Sequence, residues 1–157
     1  MTGRTQASWR STLWLLAALG LVTLWIWRSM APALDPIVIQ DDARQHAFWM
    51  QRFVDPTLFQ GDLFAEYFAS QAPPGFVLLF RGLLLFADPL TATKLLPPML
   101  GLVAATFTFL LVRRLSGSSV AAFLTTILQS WYVWQYDDLP TGSPRAFLLP
   151  LTVVLLC

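Results

Sequence analysis

Cysteine and charge are both scarce in this chain of 157 residues. The only cysteine is Cys157, which excludes an intrachain disulfide and a thiolate metal cluster. The 10 Lys and Arg residues and the 9 Asp and Glu residues give a net charge of +1, so the chain lacks the basic patch that nucleic-acid binding requires. What is abundant instead is hydrophobic residues, which make up 56% of the chain and exceed the share in an ordinary soluble domain.

Charge is missing altogether from four apolar stretches. Because their apolar residues are continuous rather than alternating, these stretches predict helices and not strands. The first three have about the 17–25 residues with which a helix crosses a bilayer core. The predicted fold is therefore all-α and polytopic, with one transmembrane domain over residues 1–157 and spans near 11–31, 95–112, 115–136 and, incompletely, 146–157.

Two alternative interpretations concern the ends of the chain: a cleaved signal peptide in place of the first span, and a truncated C-terminus. Ala31-Pro32-Ala33 resembles the small-residue site at which a signal peptide is cleaved. The long apolar core and the Arg28 that follows it favour an uncleaved anchor, since the core of a signal peptide is usually short. At the other end, Cys157 lies within an apolar run, so we expect a fragment or a truncated reading frame.

A polar loop over residues 32–73 follows the first span. Its six acidic residues and two arginines give it a net charge of −4, whereas the N-terminus is basic. The N-terminus is therefore predicted to be cytoplasmic and the loop to lie on the outer side. Two amphipathic helices in the plane of the interface are predicted within the loop. One follows Asp41 or Asp42 as N-cap and runs through Phe53, and the other follows Asp62 and ends near Ser70.

The apolar segment over residues 75–87 is short and contains Arg81. Thirteen helical residues reach about 20 Å, which is less than a hydrocarbon core of about 30 Å. If residues 75–93 nevertheless span, the basic pair Arg113-Arg114 falls outside. If the segment is half-buried or re-entrant, the pair is cytoplasmic, as the distribution of basic residues favours. We prefer the second topology and expect Pro97-Pro98 in the first turn of the next helix.

The residues that follow the first span include a cluster of ionisable groups, Asp41, Asp42, Arg44 and His46. A carboxylate there can act as a general base, bind a sugar hydroxyl or coordinate a divalent metal ion. Arg44 can bind a phosphate, and His46 can relay a proton or orient an aspartate. The alternatives are a helix cap, a solvated carboxylate, a surface salt bridge and an interfacial histidine.

A second polar cluster separates the last two apolar stretches. It contains Asp137, Asp138 and Arg145 among Pro, Gly, Ser and Thr residues that indicate a loop. In the preferred topology this loop faces the first cluster on the outer side. Carboxylates from two loops together with Arg145 could hold a phosphate-bearing substrate, with or without a metal ion. The alternative is a plain turn in which Arg145 extends towards lipid headgroups.

The order of these features resembles the N-terminal part of polytopic GT-C glycosyltransferases, especially the branch of the protein mannosyltransferases and the lipid A aminoarabinose transferase. Those enzymes have an outer acidic pair, a Pro-Pro segment, a helix that ends in Arg-Arg-Leu and a further outer acidic residue. The chain has Asp-Asp where the branch often has Asp-Glu, and Ala72 where a histidine usually precedes the prolines. The counterparts here cover most of residues 12–150 and are Asp41-Asp42, Pro73-Pro74, Arg113-Arg114-Leu115 and Asp137-Asp138.

The resemblance implies an inverting transfer of a sugar from a polyprenyl-phosphate carrier to an acceptor on the outer face of the membrane. Asp41 or Asp42 would activate the acceptor hydroxyl, and the partners would be the bilayer and the lipid-linked sugar donor. The charge and placement of Arg145 add a possible contact with the carrier phosphate. The sequence identifies no certain cofactor, and a divalent metal on the acidic pair is left open. The alternatives are a non-catalytic transporter or assembly subunit and an inactive truncated remnant.

Overall fold

The computed structural model describes residues 2–35, 37–136 and 139–157, and 82% of the chain is helical. No strand occurs in these described ranges, so the all-α prediction is confirmed. Short 3-10 turns follow α1 and α2 and precede α7. The α-helices of the described ranges are α1 (Thr2–Met30), α2 (Asp41–Ala47), α3 (Leu63–Gln71), α4 (Pro74–Leu83), α5 (Pro89–Ser116), α6 (Ser119–Tyr136) and α7 (Leu148–Leu156).

Two helical segments in the described part of the chain are long and apolar enough to cross a membrane. They are Trp9–Leu34, which contains most of α1, and Pro89–Ser116, which is α5. α6, with 18 residues, and α7, with 9, are not among these segments. The spans proposed at 115–136 and 146–157 therefore stay predictions. α4 has 10 residues and a length of about 15 Å, which is about half of a hydrocarbon core.

α5 begins at Pro89, six residues before the predicted span over 95–112. The side chain of Asp88 caps it by accepting hydrogen bonds from the backbone N–H groups of Leu90 and Thr91, both at 3.0 Å. Pro89 occupies the first turn, where its missing N–H has no cost. The prediction that Pro97-Pro98 starts the helix is wrong, because both prolines lie inside α5. Pro97 cannot donate to the carbonyl of Thr93, so that carbonyl is available for other contacts.

α1, α5 and α6 pack through small residues. Ala18 of α1 meets Phe109 of α5 and Ala122 of α6, and all three are buried. Gly101 lies further along α5, where a Cβ atom would be 3.1 Å from Ile26 and from Trp134. Ala18 meets Phe109, whereas Ile26, later in α1, meets Gly101, earlier in α5, so the two helices run antiparallel. Close contact at Ala and Gly is typical of membrane helices.

The antiparallel helices give the bundle two distinct ends. We call the end at which α1 leaves and α5 enters the loop end. The Lys94 ammonium of α5 donates there to the backbone carbonyl of Asp35 at 2.6 Å, which fixes the start of the loop to α5. At the opposite end, the Arg114 guanidinium donates to the carbonyl of Cys157. The loop over residues 32–73 and the loop before α7 therefore lie at the same end of the bundle.

Both predicted helices of the loop are present, with two corrections to the first of them. Asp62 caps α3 by accepting from the Ala65 N–H at 2.9 Å, as the sequence predicted. Neither Asp41 nor Asp42 is the N-cap of α2, because Gln40 occupies that position and makes no side-chain cap. α2 also ends at Ala47, and a 3-10 turn continues to Phe53. The buried Ala43, Ala47, Trp49 and Met50 draw this segment onto the bundle and favour the tighter turn.

Candidate functional site at the loop end

One face of α2 presents ionisable side chains to the bundle. Asp42 and His46 are four residues apart and therefore share a face, and both are half-buried. The fully buried Ala43 and Ala47 lie beside them and allow α2 to approach α5 closely. Asp41 and Arg44 are exposed, so the helix separates the two aspartates of the acidic pair. Asp42 is the one that faces the same surroundings as His46.

Arg145 reaches this site from a distant part of the chain. It lies in the 3-10 turn Pro144–Phe147, and the preceding loop packs on α5 and α2. Gly142 adopts a left-handed conformation (φ 64°) and lies against the Thr93 carbonyl that Pro97 leaves unbonded. The hydroxyl groups of Thr141 and the buried Ser143 are hydrogen-bonded at 3.0 Å, which tightens the turn. These contacts hold the backbone just before Arg145 against the bundle.

Asp42 and Arg145 both lie close enough to His46 for their charges to affect its pKa. Burial is the largest influence and lowers the pKa of His46 from its ordinary value of 6.5. The negative charge of Asp42 opposes this effect, and the positive charge of Arg145 adds to it. The imidazole also packs edge-on against the Phe68 ring, with 5.8 Å between ring centroids. His46 is therefore neutral at pH 7 and can accept or relay a proton.

The depressed pKa of His46 predicts a loss of stability in mild acid. Because the fold holds this pKa below its value in the unfolded chain, protonation favours unfolding. The contribution is fully present above about pH 6.5 and is lost as the pH falls below the unfolded pKa. The melting temperature in mild detergent should drop between pH 7 and pH 5, and His46→Gln should flatten that drop. An equal drop in the variant would show that another group is responsible.

The other residues of the first cluster are arranged differently from the expected pairing. The sequence spacing allows Asp41 to meet Arg44 across one turn of helix. In the structure Arg44 instead donates to the carbonyl of Ile39 at 3.4 Å, and no ion pair between Asp41 and Arg44 forms. Asp137 and Asp138 of the second cluster lie outside the described residues. Their predicted role in substrate binding stays a prediction, as does that of Arg44.

A divalent metal ion on the acidic pair would need further ligands close by. Within the residues that the structure describes, no group of three or more His, Cys, Asp or Glu side chains is close enough to hold a metal ion. Asp42 and His46 would provide two ligands at most, and divalent ions in proteins take four or more. We therefore derive no chemical step through a metal at this site.

An apolar groove opens beside Arg145 and was not foreseen from the sequence. Its volume is about 450 Å³, and Arg145 lies between two of its lining residues, Pro144 and Phe147. The Phe76 ring of α4 packs edge-on against Phe147, which joins the two halves of the groove. The halves are about 70 residues apart in the chain, so no local pattern could have shown their meeting. The lining residues are Pro73, Gly75, Phe76, Leu79, Pro144, Phe147 and Leu151.

Comparison of the chain with known protein families, with curated proteins and with solved structures finds no match.

Proposed function

We propose that the chain is an integral membrane protein, with its N-terminus in the cytoplasm and the loop end on the outer side. Only 22% of the most apolar window of the first segment and 39% of that of α5 are buried within the protein. Leu24 and Trp27 each expose 66% of their surface. In water such a continuous apolar surface favours aggregation, whereas in a bilayer it is solvated by lipid. α6 and α7 complete the proposed set of spans.

Within that membrane setting, the site supports a glycosyltransferase of the GT-C type, or the N-terminal portion of one. The donor is a sugar on a polyprenyl phosphate, and the acceptor is a hydroxyl group on the outer face. The acceptor oxygen attacks the anomeric carbon while the Asp42 carboxylate takes its proton, with Asp41 as the second candidate base. The bond between the anomeric carbon and the phosphate oxygen breaks, and the polyprenyl phosphate leaves with the electron pair.

The remaining residues of the site bind and orient the substrates in this proposal. Arg145 stabilises the negative charge on the departing phosphate, since a guanidinium forms charge-assisted hydrogen bonds with phosphate oxygens. Neutral His46 orients Asp42 or the acceptor hydroxyl. Arg44, Asp137 and Asp138 are assigned to the sugar and phosphate groups on the basis of charge alone.

One observation supports this proposal above the others. A cationic side chain, Arg145, lies next to an apolar groove of about 450 Å³ and close enough to His46 to affect its pKa. A phosphate with a long isoprenoid chain has the same combination of an anionic head and an apolar tail. A base and a phosphate-binding group at one end of the bundle are the two elements that the transfer reaction needs.

The proposal predicts that Arg145→Gln weakens the use of the lipid donor. Loss of hydrogen bonds to a charged group should raise the KM for a polyprenyl-phosphate sugar about tenfold or more. Arg28→Gln is the matched control, because Arg28 is also an exposed arginine but lies at the end of α1. Initial rates of sugar transfer in proteoliposomes, measured over a range of donor concentrations, give both constants. Equal KM values in the two variants would refute a role for Arg145 in binding the carrier.

A further inference from the structure

Arg81 is a second cationic side chain in apolar surroundings, and the proposed transfer reaction makes no use of it. It is exposed on α4, where its guanidinium carbon lies 4.7 Å from the centroid of the Phe53 ring. A guanidinium over an aromatic face is held by cation–π attraction and keeps its edges available for hydrogen bonds. Phe53 belongs to the 3-10 turn after α2, so the contact joins the loop to α4.

Nothing in the described part of the chain neutralises the charge of Arg81. Among the described residues no salt bridge involves Arg81, and the nearby Arg52 is paired with Glu66 at 2.9 Å. Asp55 is the nearest carboxylate to Phe53 in sequence, and it accepts instead from the N–H and hydroxyl groups of Thr57, at 2.9 and 2.7 Å. The guanidinium is thus in place for an anion that the described chain does not supply.

The pocket around Arg81 combines one cationic group with apolar walls, which suits a ligand with an anionic head and apolar chains. It has a volume of about 420 Å³ and is lined by Phe53, Val54, Arg81, Leu84 and Leu85. Leu85 and the adjacent Phe86, just after α4, expose 79% and 88% of their surface, and Leu78 within α4 exposes 71%. A single cation is therefore surrounded by exposed aliphatic and aromatic groups that water solvates poorly.

We propose that the Arg81 pocket binds the phosphate of an anionic phospholipid headgroup from the surrounding bilayer. The guanidinium donates to the phosphate oxygens, Phe53 holds the guanidinium flat, and the exposed Leu78, Leu85 and Phe86 contact the acyl chains. This site is separate from the groove beside Arg145, and it rests on the proposed membrane location but not on the proposed transfer reaction. Its consequence is that α4, too short to span, is anchored at the level of the headgroups.

The test uses the full chain purified in mild detergent and native mass spectrometry with added lipid. Phosphatidylglycerol should bind more tightly than zwitterionic phosphatidylcholine. Arg81→Gln should weaken binding of phosphatidylglycerol about tenfold, since it removes hydrogen bonds to a charged group. Phe53→Leu should cause a smaller loss, since the stacked ring is removed while the charge stays. Arg28→Gln is the matched control and should change the affinity less than about twofold, as expected for an exposed charge outside the pocket.

Two further measurements are needed. One distinguishes lipid phosphate from free phosphate as the bound anion, and the other checks that the chain is an integral membrane protein. Inorganic phosphate in large excess should leave the bound lipid in place, and displacement of the lipid would identify a site for free phosphate and overturn the proposal. Equal phosphatidylglycerol affinity in Arg81→Gln and wild type would also overturn it. Alkali extraction of cell membranes checks the premise, because a chain that is extracted is not integral. Normal insertion with unchanged lipid binding would refute only the lipid site.

Discussion

In the proposed transfer reaction, Asp42→Asn should lower the rate by about 100-fold or more while leaving insertion and folding unchanged. The amide is nearly the same size as the carboxylate but cannot take the proton of the acceptor hydroxyl. Asp42 is half-buried on the face of α2 that His46 shares, and its negative charge acts on the imidazole. The loss should appear in kcat rather than in the KM for the donor, since the base acts in the transition state.

Asp41→Asn is the matched control for that substitution. Asp41 is the preceding residue in the same turn of α2, but it is exposed. Transfer is measured as label moved from a polyprenyl-phosphate sugar to acceptor in proteoliposomes, with circular dichroism and alkali extraction as checks on folding and insertion. A large loss in Asp41→Asn with normal activity in Asp42→Asn would reverse the assignment of the base. Normal activity in both variants would refute the catalytic role of the pair.

Gly142→Ala should destabilise the protein by about 2 to 4 kcal/mol, the largest stability effect that we expect from a single methyl group here. Gly142 has a φ of 64°, which an alanine adopts only with strain. The new Cβ atom would also lie 2.8 Å from the backbone carbonyl oxygen of Thr93, which cannot move without bending α5. The loop would shift, and Arg145, three residues later, would shift with it.

Gly117→Ala separates the two contributions to this effect. Gly117 has a similar φ of 69°, but no heavy atom lies within 4 Å of an added Cβ. Gly117→Ala should therefore cost only the backbone strain, about 1 to 2 kcal/mol. Unfolding in mixed detergent micelles gives the free energies of both variants and the wild type. Equal losses in the two variants would show that the contact between Gly142 and Thr93 has no energetic importance.

The sequence predicted the helical class and the position of several elements because those signals are local. Asp62 is an N-cap for α3 in sequence and in structure, since a carboxylate before an amphipathic stretch satisfies the free N–H groups of the first turn. The short helix α4 was predicted in the same way, because helix-breaking residues lie on both sides of its apolar segment. The spacing of Asp42 and His46 likewise indicated that they share a helix face.

The errors arose where tertiary packing overrides local signals. Pro97-Pro98 looked like a helix start, but the cap at Asp88 and the contact between Thr93 and Gly142 stabilise a longer α5 in which Pro97 leaves one carbonyl unbonded. Asp41 looked like an N-cap, but Gln40 holds that position. The approach of Arg145 to His46 and the groove beside it depend on loops about 100 and 70 residues apart in sequence, which no local pattern reports.

The central claim is that the bundle crosses a membrane with the loop end on the outer side. Two single-cysteine variants in a Cys157→Ser background test it directly. Gln60→Cys places a thiol in the exposed loop, and Ser116→Cys places one at the far end of α5. On intact cells, a membrane-impermeant maleimide should label position 60 at once and position 116 only after permeabilisation. Labelling of position 116 on intact cells, or of neither position before lysis, would contradict the proposed topology and the outward-facing site.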